Sequence, residues 1–262
     1  MIVTAYGGGM NSTAFLVRIA LDEVEELMPD VTLFANTGGE RPETMDYIAM
    51  FSEWCVKHGL PEIITVCGAF PQQKIDGTLE NECLRLGVLP SRVYGAGSCS
   101  MKWKREPQDR YIKGLPEAQA VWDSGEKILK LIGYEYGEEH RADRDAFRND
   151  PKYKYRFPLI EWEMDRDGCK KEIMCRAGLP SPGKSSCFYC PSMKQSEIRA
   201  MAHTNPELIA RAIAMEENAQ ESLTNIKGLG RQYAWSELLA TDDMFPDAFN
   251  DSVDEACGCY DG

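Results

Sequence analysis

Residues 1–13 are MIVTAYGGGMNST, in which a short apolar run leads directly into three consecutive glycines. Val3 to Tyr6 predicts a buried strand, and residues 12–28 show the apolar spacing of a helix. Glycines between a strand and a helix let backbone N–H groups approach an anion without obstruction by Cβ atoms. The helix N-terminus adds its dipole and its free N–H groups. The segment predicts a phosphate-binding loop, with a plain turn capped by Asn11 or Ser12 as the alternative.

The segments that follow predict a parallel sheet. Val31 to Ala35 and Glu62 to Val66 are apolar runs bounded by turn residues, and a helical pattern from about Pro42 to His58 separates them. Strands that alternate with helices are typical of parallel α/β folds with right-handed crossovers. In such sheets ligands bind at the carboxyl ends of the strands, which is where the glycines lie.

The rest of the chain predicts two more strands and a helical end. Lys127 to Gly133 and Tyr153 to Ile160 are strand-like, whereas residues 68–98 have few periodic apolar positions and predict a long loop. We expect an α/β domain over residues 1–162. We expect a helical region over residues 163–262, which carries a cysteine turn and an acidic tail.

The composition is that of a globular protein. The chain has 262 residues, of which 43% are hydrophobic and 27% charged, and its net charge is −13. It contains no run of about 18 apolar residues and no signal-peptide pattern, so we expect a cytoplasmic location and no membrane partner. The net charge disfavours a nucleic-acid partner. Two basic runs, within residues 102–113 and 141–156, keep anion binding open, with solvated surfaces as the alternative.

The segment GGGMNST at residues 7–13 resembles the PP-loop signature Ser-Gly-Gly-x-Asp-Ser of the adenine nucleotide alpha-hydrolase-like superfamily. The second and third glycines and the serine match. A glycine and Asn11 replace the first serine and the aspartate, and Met10 stands where many ATP-cleaving members have lysine. The resemblance implies nucleotide binding more strongly than cleavage of pyrophosphate.

Four later segments are similar, in the right order, to motifs of the phosphoadenosine phosphosulfate (PAPS) reductase branch of that superfamily. They are Phe34 to Thr44 (FANTGGERPET), Ser98 to Pro107 (SCSMKWKREP), Gly133 to Arg144 (GYEYGEEHRADR) and Phe157 to Trp162 (FPLIEW). This resemblance implies a Rossmann-like, parallel-dominated sheet with helices on both faces. It also implies an adenine nucleotide, namely ATP, APS or PAPS, at the strand ends.

The resemblance further implies roles for individual residues. Nucleotide contacts are expected from the loop, the end of the second strand and one arginine: Tyr6, Gly7, Gly8, Gly9, Asn11, Ser12, Thr13, Thr37, Gly38, Gly39 and Arg141. Lys102 and Arg144 are expected at the catalytic centre, where they would neutralise phosphate or sulfate oxygens. Surface solvation is the alternative for each basic residue.

Ten cysteines in a chain expected in a reducing compartment favour metal or redox chemistry over disulfides. Cys187 and Cys190 form a C-x-x-C pair, which lets two thiolates bind one centre from a tight turn. The three histidines lie away from the cysteine pairs in sequence, so all-cysteine ligation is favoured. Candidates for the remaining ligands are Cys83, Cys99, Cys169, Cys175, Cys257 and Cys259.

Within the resemblance, APS reductases hold a [4Fe-4S] cluster with a Cys-Cys dipeptide and a later C-x-x-C pair. Here Cys99 alone stands in the place of the dipeptide. The resemblance implies a [4Fe-4S] cluster on Cys99, Cys187 and Cys190, with Cys175 as the fourth ligand or with an open position for sulfur or a substrate. Zinc, closed by Cys257 and Cys259, is the alternative metal, and a site without metal is the third possibility.

Cys257 lies in a C-terminal Glu-Ala-Cys-Gly segment, which is similar to the Glu-Cys-Gly motif that carries the nucleophilic cysteine of PAPS reductases. A thiolate on a tail can attack a bound sulfonate and then be reduced by a thioredoxin-like partner. Metal ligation by the tail is the alternative.

Three functions are compatible with these features. The leading hypothesis is a PAPS reductase-family enzyme that binds an adenine nucleotide and performs sulfur chemistry through cysteine. An ATP-dependent sulfurtransferase that thiolates or otherwise modifies a nucleic acid is the second, supported by the loop and the basic runs but opposed by Met10 and the net charge. A nucleotide-binding module without catalysis is the third, favoured by the departures from the PP-loop signature.

Overall fold

A computed structural model describes residues 1–68, 77–90, 99–143 and 145–242. The strands are β1 (Ile2–Tyr6), β2 (Val31–Asn36), β3 (Ile63–Cys67), β4 (Ile128–Ile132) and β5 (Tyr153–Arg156). All neighbouring pairs are parallel, and the strand order is β3-β2-β1-β4-β5. This is a Rossmann-like α/β sheet, and it confirms the predicted fold class.

Helices surround this sheet and form the C-terminal region. They are α1 (Met10–Leu21), α2 (Pro42–Lys57), α3 (Leu79–Leu86), α4 (Glu106–Lys113), α5 (Pro116–Asp123), α6 (Glu139–Ala142), α7 (Asp145–Arg148), α8 (Pro158–Glu161), α9 (Arg166–Lys171), α10 (Gln195–Thr204), α11 (Pro206–Ala219) and α12 (Trp235–Asp242). Two π-helical turns, Ser100–Arg105 and Glu172–Arg176, precede α4 and follow α9. Two 3₁₀ turns span Glu25–Leu27 and Gln220–Ser222.

Alternating side chains of the strands bury both faces of the sheet. Phe34 and Leu131 point to one face, where α1, α2 and α9 build the first core. Leu33 and Ile128 belong to the opposite face, which Ile112 of α4 covers together with α5. The carboxyl ends of all five strands consequently lie at one edge of a sheet that helices cover on both sides.

A further core lies outside the sheet. It joins α3 to α10, α11 and α12, and it includes Trp103 and the aromatic residues of the C-x-x-C turn. Beyond residue 162, Cys169 and Ile173 pack in the first core instead. The domain division after residue 162 stays a prediction, and segments from each side of it contribute to both cores.

Three elements differ from the sequence predictions: two end at other residues, and one helix forms within a predicted loop. The first helix ends at Leu21, and Glu23 follows with a positive φ of 50°. The fifth strand ends at Arg156, because Pro158 occupies the first turn of α8, a position that suits proline. Within the predicted loop at residues 68–98, α3 forms, capped by Thr78 Oγ1, which accepts from Asn81 N at 3.2 Å.

None of the described helices is both long enough and apolar enough to cross a membrane.

Candidate functional site

The predicted phosphate loop joins β1 to α1 without a side-chain cap. Gly9 is the N-cap residue of α1, with extended backbone, so neither Asn11 nor Ser12 caps this helix. The first intrahelical bond runs from Thr13 N to Gly9 O at 3.2 Å. The N–H groups of Met10, Asn11 and Ser12 precede that bond and point out of the helix end. An anion at this position would find several aligned donors and the positive end of the dipole.

Close packing holds the backbone of the loop in place. Gly8 has a φ of +73°, and a Cβ atom there would lie 3.2 Å from Ile48 Cδ1. Gly133, directly after β4, approaches α1 so closely that a Cβ atom would lie 2.9 Å from Ser12 N. Gly7 N donates to Ser12 Oγ at 3.2 Å. The loop is therefore held by α2, by the residue that follows β4 and by its own serine.

Two residues predicted to contact the nucleotide support the loop from the core. The Tyr6 hydroxyl and Thr13 Oγ1 lie 3.0 Å apart, and Thr13 Oγ1 donates to Gly9 O at 2.8 Å. The Tyr6 ring stacks on Phe51, and burial raises the pKa of Tyr6 well above its usual value. The side chains of Tyr6 and Thr13 thus support the loop from within the core, and their predicted contact with a nucleotide stays a prediction.

The end of β2 forms a second rigid turn on the neighbouring strand. The Glu40 carboxylate accepts from Thr37 N at 3.1 Å and from Thr37 Oγ1 at 2.9 Å. Gly38, with a φ of +80°, donates its N–H to Asn36 Oδ1 at 2.7 Å. Thr37 O accepts from Leu79 N at 2.9 Å, which ties this turn to the start of α3. Glu40 is thus a structural member of the site that the sequence analysis did not select.

The cysteine turn packs directly against this strand end. Cys187 Sγ lies 3.0 Å from Thr37 Oγ1 and 4.0 Å from Glu40 Oε1. Phe188 N donates to Gly39 O at 2.8 Å, and the Tyr189 ring occupies the space that a Gly39 side chain would need. The fold therefore brings the C-x-x-C pair to the same sheet edge as the phosphate loop, although the sequence did not predict this contact.

The segment before the cysteine turn reaches the phosphate loop itself. Ser185 Oγ lies 2.9 Å from the position that a Cβ atom of Gly9 would take. Burial raises the pKa of the Cys187 thiol, and Glu40 adds to this effect while Lys104 opposes it. This environment therefore favours the protonated form of the Cys187 thiol.

The predicted basic residues lie at different places. Arg141 is buried, pairs with Glu138 at 2.5 Å, and places its guanidinium 4.1 Å from the centroid of the Tyr134 ring. Lys102 pairs with Glu82 of α3, which also accepts from Trp103 Nε1 at 2.9 Å. The Lys102 contact lies beside Trp103 of the second core, and the catalytic role of Lys102 stays a prediction. Arg144 lies outside the described residues.

The four cysteines predicted as metal ligands do not converge. Cys99, Cys187 and Cys190 belong to the second core, whereas Cys175 is exposed on the π-helical turn after α9. Its neighbour Arg176 pairs with Asp22 at the C-terminal end of α1, about 18 Å along that helix from the phosphate loop. The described contacts do not bring Cys175 to the other three cysteines, and its role as a fourth ligand stays a prediction.

Among residues 1–68, 77–90, 99–143 and 145–242, no three His, Cys, Asp or Glu side chains lie close enough to hold a metal ion. Cys187 Sγ contacts Thr37 and Glu40. The described residues thus do not form a ligand set for a [4Fe-4S] cluster or for zinc. Cys257 and Cys259, the other candidates, lie outside them.

Comparison with known proteins finds similarity among solved structures only. No protein-family model matches the chain, and no curated protein matches it. Among solved structures, it is similar to the U34-tRNA thiolase NcsA from Methanococcus maripaludis with its [4Fe-4S] cluster. The identity is 15% and the TM-score 0.44, over 98% of this chain and 79% of that one. The function has to be argued from the site itself, because similar folds carry different chemistries.

Proposed function

We propose that this protein is an adenine nucleotide-dependent enzyme of sulfur transfer. One observation carries the proposal: the 3.0 Å contact between Thr37 Oγ1 and Cys187 Sγ. It holds a thiol at the carboxyl end of β2, and β2 pairs directly with β1, whose end is the phosphate loop. Neighbouring strands are about 4.8 Å apart, so a nucleotide on the loop would be within reach of this thiol.

The loop supplies the nucleotide half of the proposal. Its uncapped helix start and its close-packed glycines suit the phosphates of a nucleotide. The choice of adenine comes from the resemblance to the PP-loop signature at residues 7–13. The nucleotide would activate an acceptor by adenylation, which makes AMP the leaving group.

The cysteine turn supplies the sulfur half. Cys190 N donates to Cys187 O at 3.0 Å, so the two cysteines share one tight turn. We propose that a persulfide donor loads Cys187, whose terminal sulfur then attacks the adenylated carbon and displaces AMP. The Cys190 thiolate next attacks Cys187 Sγ, which releases the thiolated acceptor and leaves a Cys187–Cys190 disulfide. An external dithiol returns this disulfide to two thiols.

Reduction of PAPS or APS is the alternative reaction, and it stays a prediction. It requires a nucleophile such as Cys257 and a thioredoxin-like reductant, and Cys257 lies outside the described residues. The two reactions give different products. Sulfur transfer releases AMP and pyrophosphate from ATP, whereas reduction releases sulfite.

The test uses the full chain, purified without oxygen and assayed for iron, zinc and sulfide. ATP, a persulfide donor and tRNA, the acceptor that the name of the similar thiolase gives, should yield AMP, pyrophosphate and sulfur-labelled RNA. Sulfite from APS or PAPS, without AMP formation from ATP, would overturn the proposal in favour of the reductase.

Cys187→Ser should abolish sulfur transfer and leave ATP binding intact, because the hydroxyl can accept from Thr37 but cannot carry a persulfide. Cys175→Ser is the matched control, since that cysteine is exposed and remote from the loop. Its activity should equal that of the wild type. Sulfur labelling that persists in Cys187→Ser would contradict the assignment of Cys187.

A further inference from the structure

The phosphate loop contains no basic side chain of its own. Residues 7–13 are Gly-Gly-Gly-Met-Asn-Ser-Thr, so the loop offers neutral donors, namely backbone N–H groups and polar side chains. The polyphosphate of ATP carries several negative charges, and a guanidinium that meets phosphate with two parallel hydrogen bonds stabilises them well. A cation from another element is therefore needed to complete the proposed site.

Arg166 is placed to serve as that cation. It begins α9, which packs against α1, and its Nη1 lies 3.5 Å from Asn11 Oδ1 in the first turn of α1. Its Nε is buried and has no hydrogen-bond partner among the described residues. The guanidinium is thus beside the loop and uses only part of its donor capacity.

Glu135 faces the same guanidinium from the end of β4. Its Oε2 lies 4.0 Å from Arg166 Nη1 and is buried without a hydrogen-bond partner among the described residues. Burial raises the pKa of Glu135, and Glu138 and Asp165 add to this effect while Arg166 opposes it. This is a loose ion pair beside the N-terminus of α1, rather than a closed structural salt bridge.

We propose that Arg166 is the phosphate-binding cation of this loop, and that Glu135 holds its guanidinium until a nucleotide phosphate replaces the carboxylate. The inference rests on the nucleotide site proposed above and extends it to a residue remote in sequence. Arg166 would bind the phosphate chain, and Glu135 would act as a positioning residue that keeps the guanidinium next to Asn11.

Calorimetric titration of the full chain with ATP tests this assignment through two substitutions of opposite effect. Arg166→Gln should weaken ATP binding by about tenfold or more, because a charge-assisted contact is lost. Glu135→Gln should strengthen ATP binding, because the competing carboxylate is removed. General damage to the fold would weaken binding in both variants. The gain in ATP affinity from Glu135→Gln should be smaller when it is combined with Arg166→Gln, because that double variant lacks the guanidinium.

Lys171→Gln is the matched control, since it removes one positive charge from an exposed position of the same helix. It should leave ATP affinity within about twofold of the wild type. If the wild type binds ATP and Arg166→Gln binds it equally well, Arg166 is not the phosphate ligand and the proposed function stands. If the wild type binds no ATP, the proposed function itself is overturned.

Discussion

Gly8 combines a positive φ with close neighbours, which makes it the most sensitive backbone position of the phosphate loop. Its φ is +73°, and an added Cβ atom would lie 3.2 Å from Ile48 Cδ1 and 3.4 Å from Phe34 Cε2. Gly8→Ala should therefore shift the loop and weaken ATP binding, and Gly8→Asp should abolish it, because a carboxylate would also repel the phosphates. Calorimetric titration with ATP measures both effects.

Gly59 provides the matched control for Gly8. Its φ is +80°, but no atom lies within 4 Å of the position of its Cβ. Gly59→Ala should lower the free energy of unfolding by about 1 kcal/mol through backbone strain alone and leave ATP binding unchanged. Equal ATP affinity in Gly8→Ala and the wild type would show that the loop does not hold the phosphates.

The sequence indicated the site residues that belong to local motifs, but not those that reach the site through tertiary contacts. The glycine loop and the Thr37 turn were selected because a run of glycines or a Thr-Gly-Gly segment is visible in a few letters. Glu40, Ser185 and Arg166 were not selected as site residues, since each matters only through a contact that the fold creates. Cysteine spacing likewise could not show that Cys175 faces another part of the molecule.

Asp150 fixes the start of the edge strand β5 to the helical segment beside it. Its carboxylate accepts from Lys152 N at 2.9 Å, the Tyr155 hydroxyl at 2.8 Å and Arg105 Nη2 at 2.8 Å. Burial alone would raise the pKa of Asp150, but these donors and Tyr153 N outweigh it and hold the pKa below its usual value. The ionised carboxylate is therefore the form that stabilises β5.

Asp150→Asn should lower the free energy of unfolding by about 1–3 kcal/mol near pH 7. Since the pKa is lower in the folded state, this contribution is complete above the unfolded value of about 3.9 and is lost as the pH falls through the folded value. The difference in the free energy of unfolding between wild type and variant, measured by urea denaturation, should shrink below about pH 4. Asp123→Asn, at an exposed position, is the control. If this difference in the free energy of unfolding stays constant down to pH 3, the ionised Asp150 carboxylate is not the form that stabilises β5.

At the scale of elements, the strands were predictable and their limits less so. Four of the five described strands, β1 to β4, match largely apolar runs in the sequence, as is typical of strands in a parallel sheet covered on both faces, whereas β5 is Tyr-Lys-Tyr-Arg. The helix α3 was missed because its amphipathic pattern is only eight residues long. Pro158 can either close a strand or open a helix, and local spacing does not decide between the two. The sequence therefore did not fix where the fifth strand ends.

The whole molecule should unfold in one transition, since contacts join the sheet to the second core. Phe188 N donates to Gly39 O at 2.8 Å, and Leu79 N of α3 donates to Thr37 O at 2.9 Å. Variants that retain only Trp54 or only Trp235 would report the first and second cores separately. In each variant, tryptophan fluorescence and circular dichroism should give the same urea midpoint. An earlier fluorescence transition in the Trp235 variant would show that the second core unfolds independently.

The arrangement of the whole molecule was only partly accessible from the sequence. Alternating strands and helices predicted a parallel sheet, but not that β4 crosses over to lie beside β1. That crossover brings Gly133 and Glu135 to the phosphate loop. The packing of the cysteine turn on β2 was equally hidden, because it joins segments far apart in the chain.

The bond between Thr37 and Cys187 spans 150 residues, and this separation has a consequence during synthesis. A ribosome adds about 5–20 residues per second, so the thiol emerges on the order of ten seconds after the strand end on which it will rest. Until then a nascent chain has the glycine loop but lacks the cysteine to which we assign sulfur transfer. On that assignment, growing chains are spared premature exchange with cellular persulfides at this centre, which forms only after residue 187 has been synthesised.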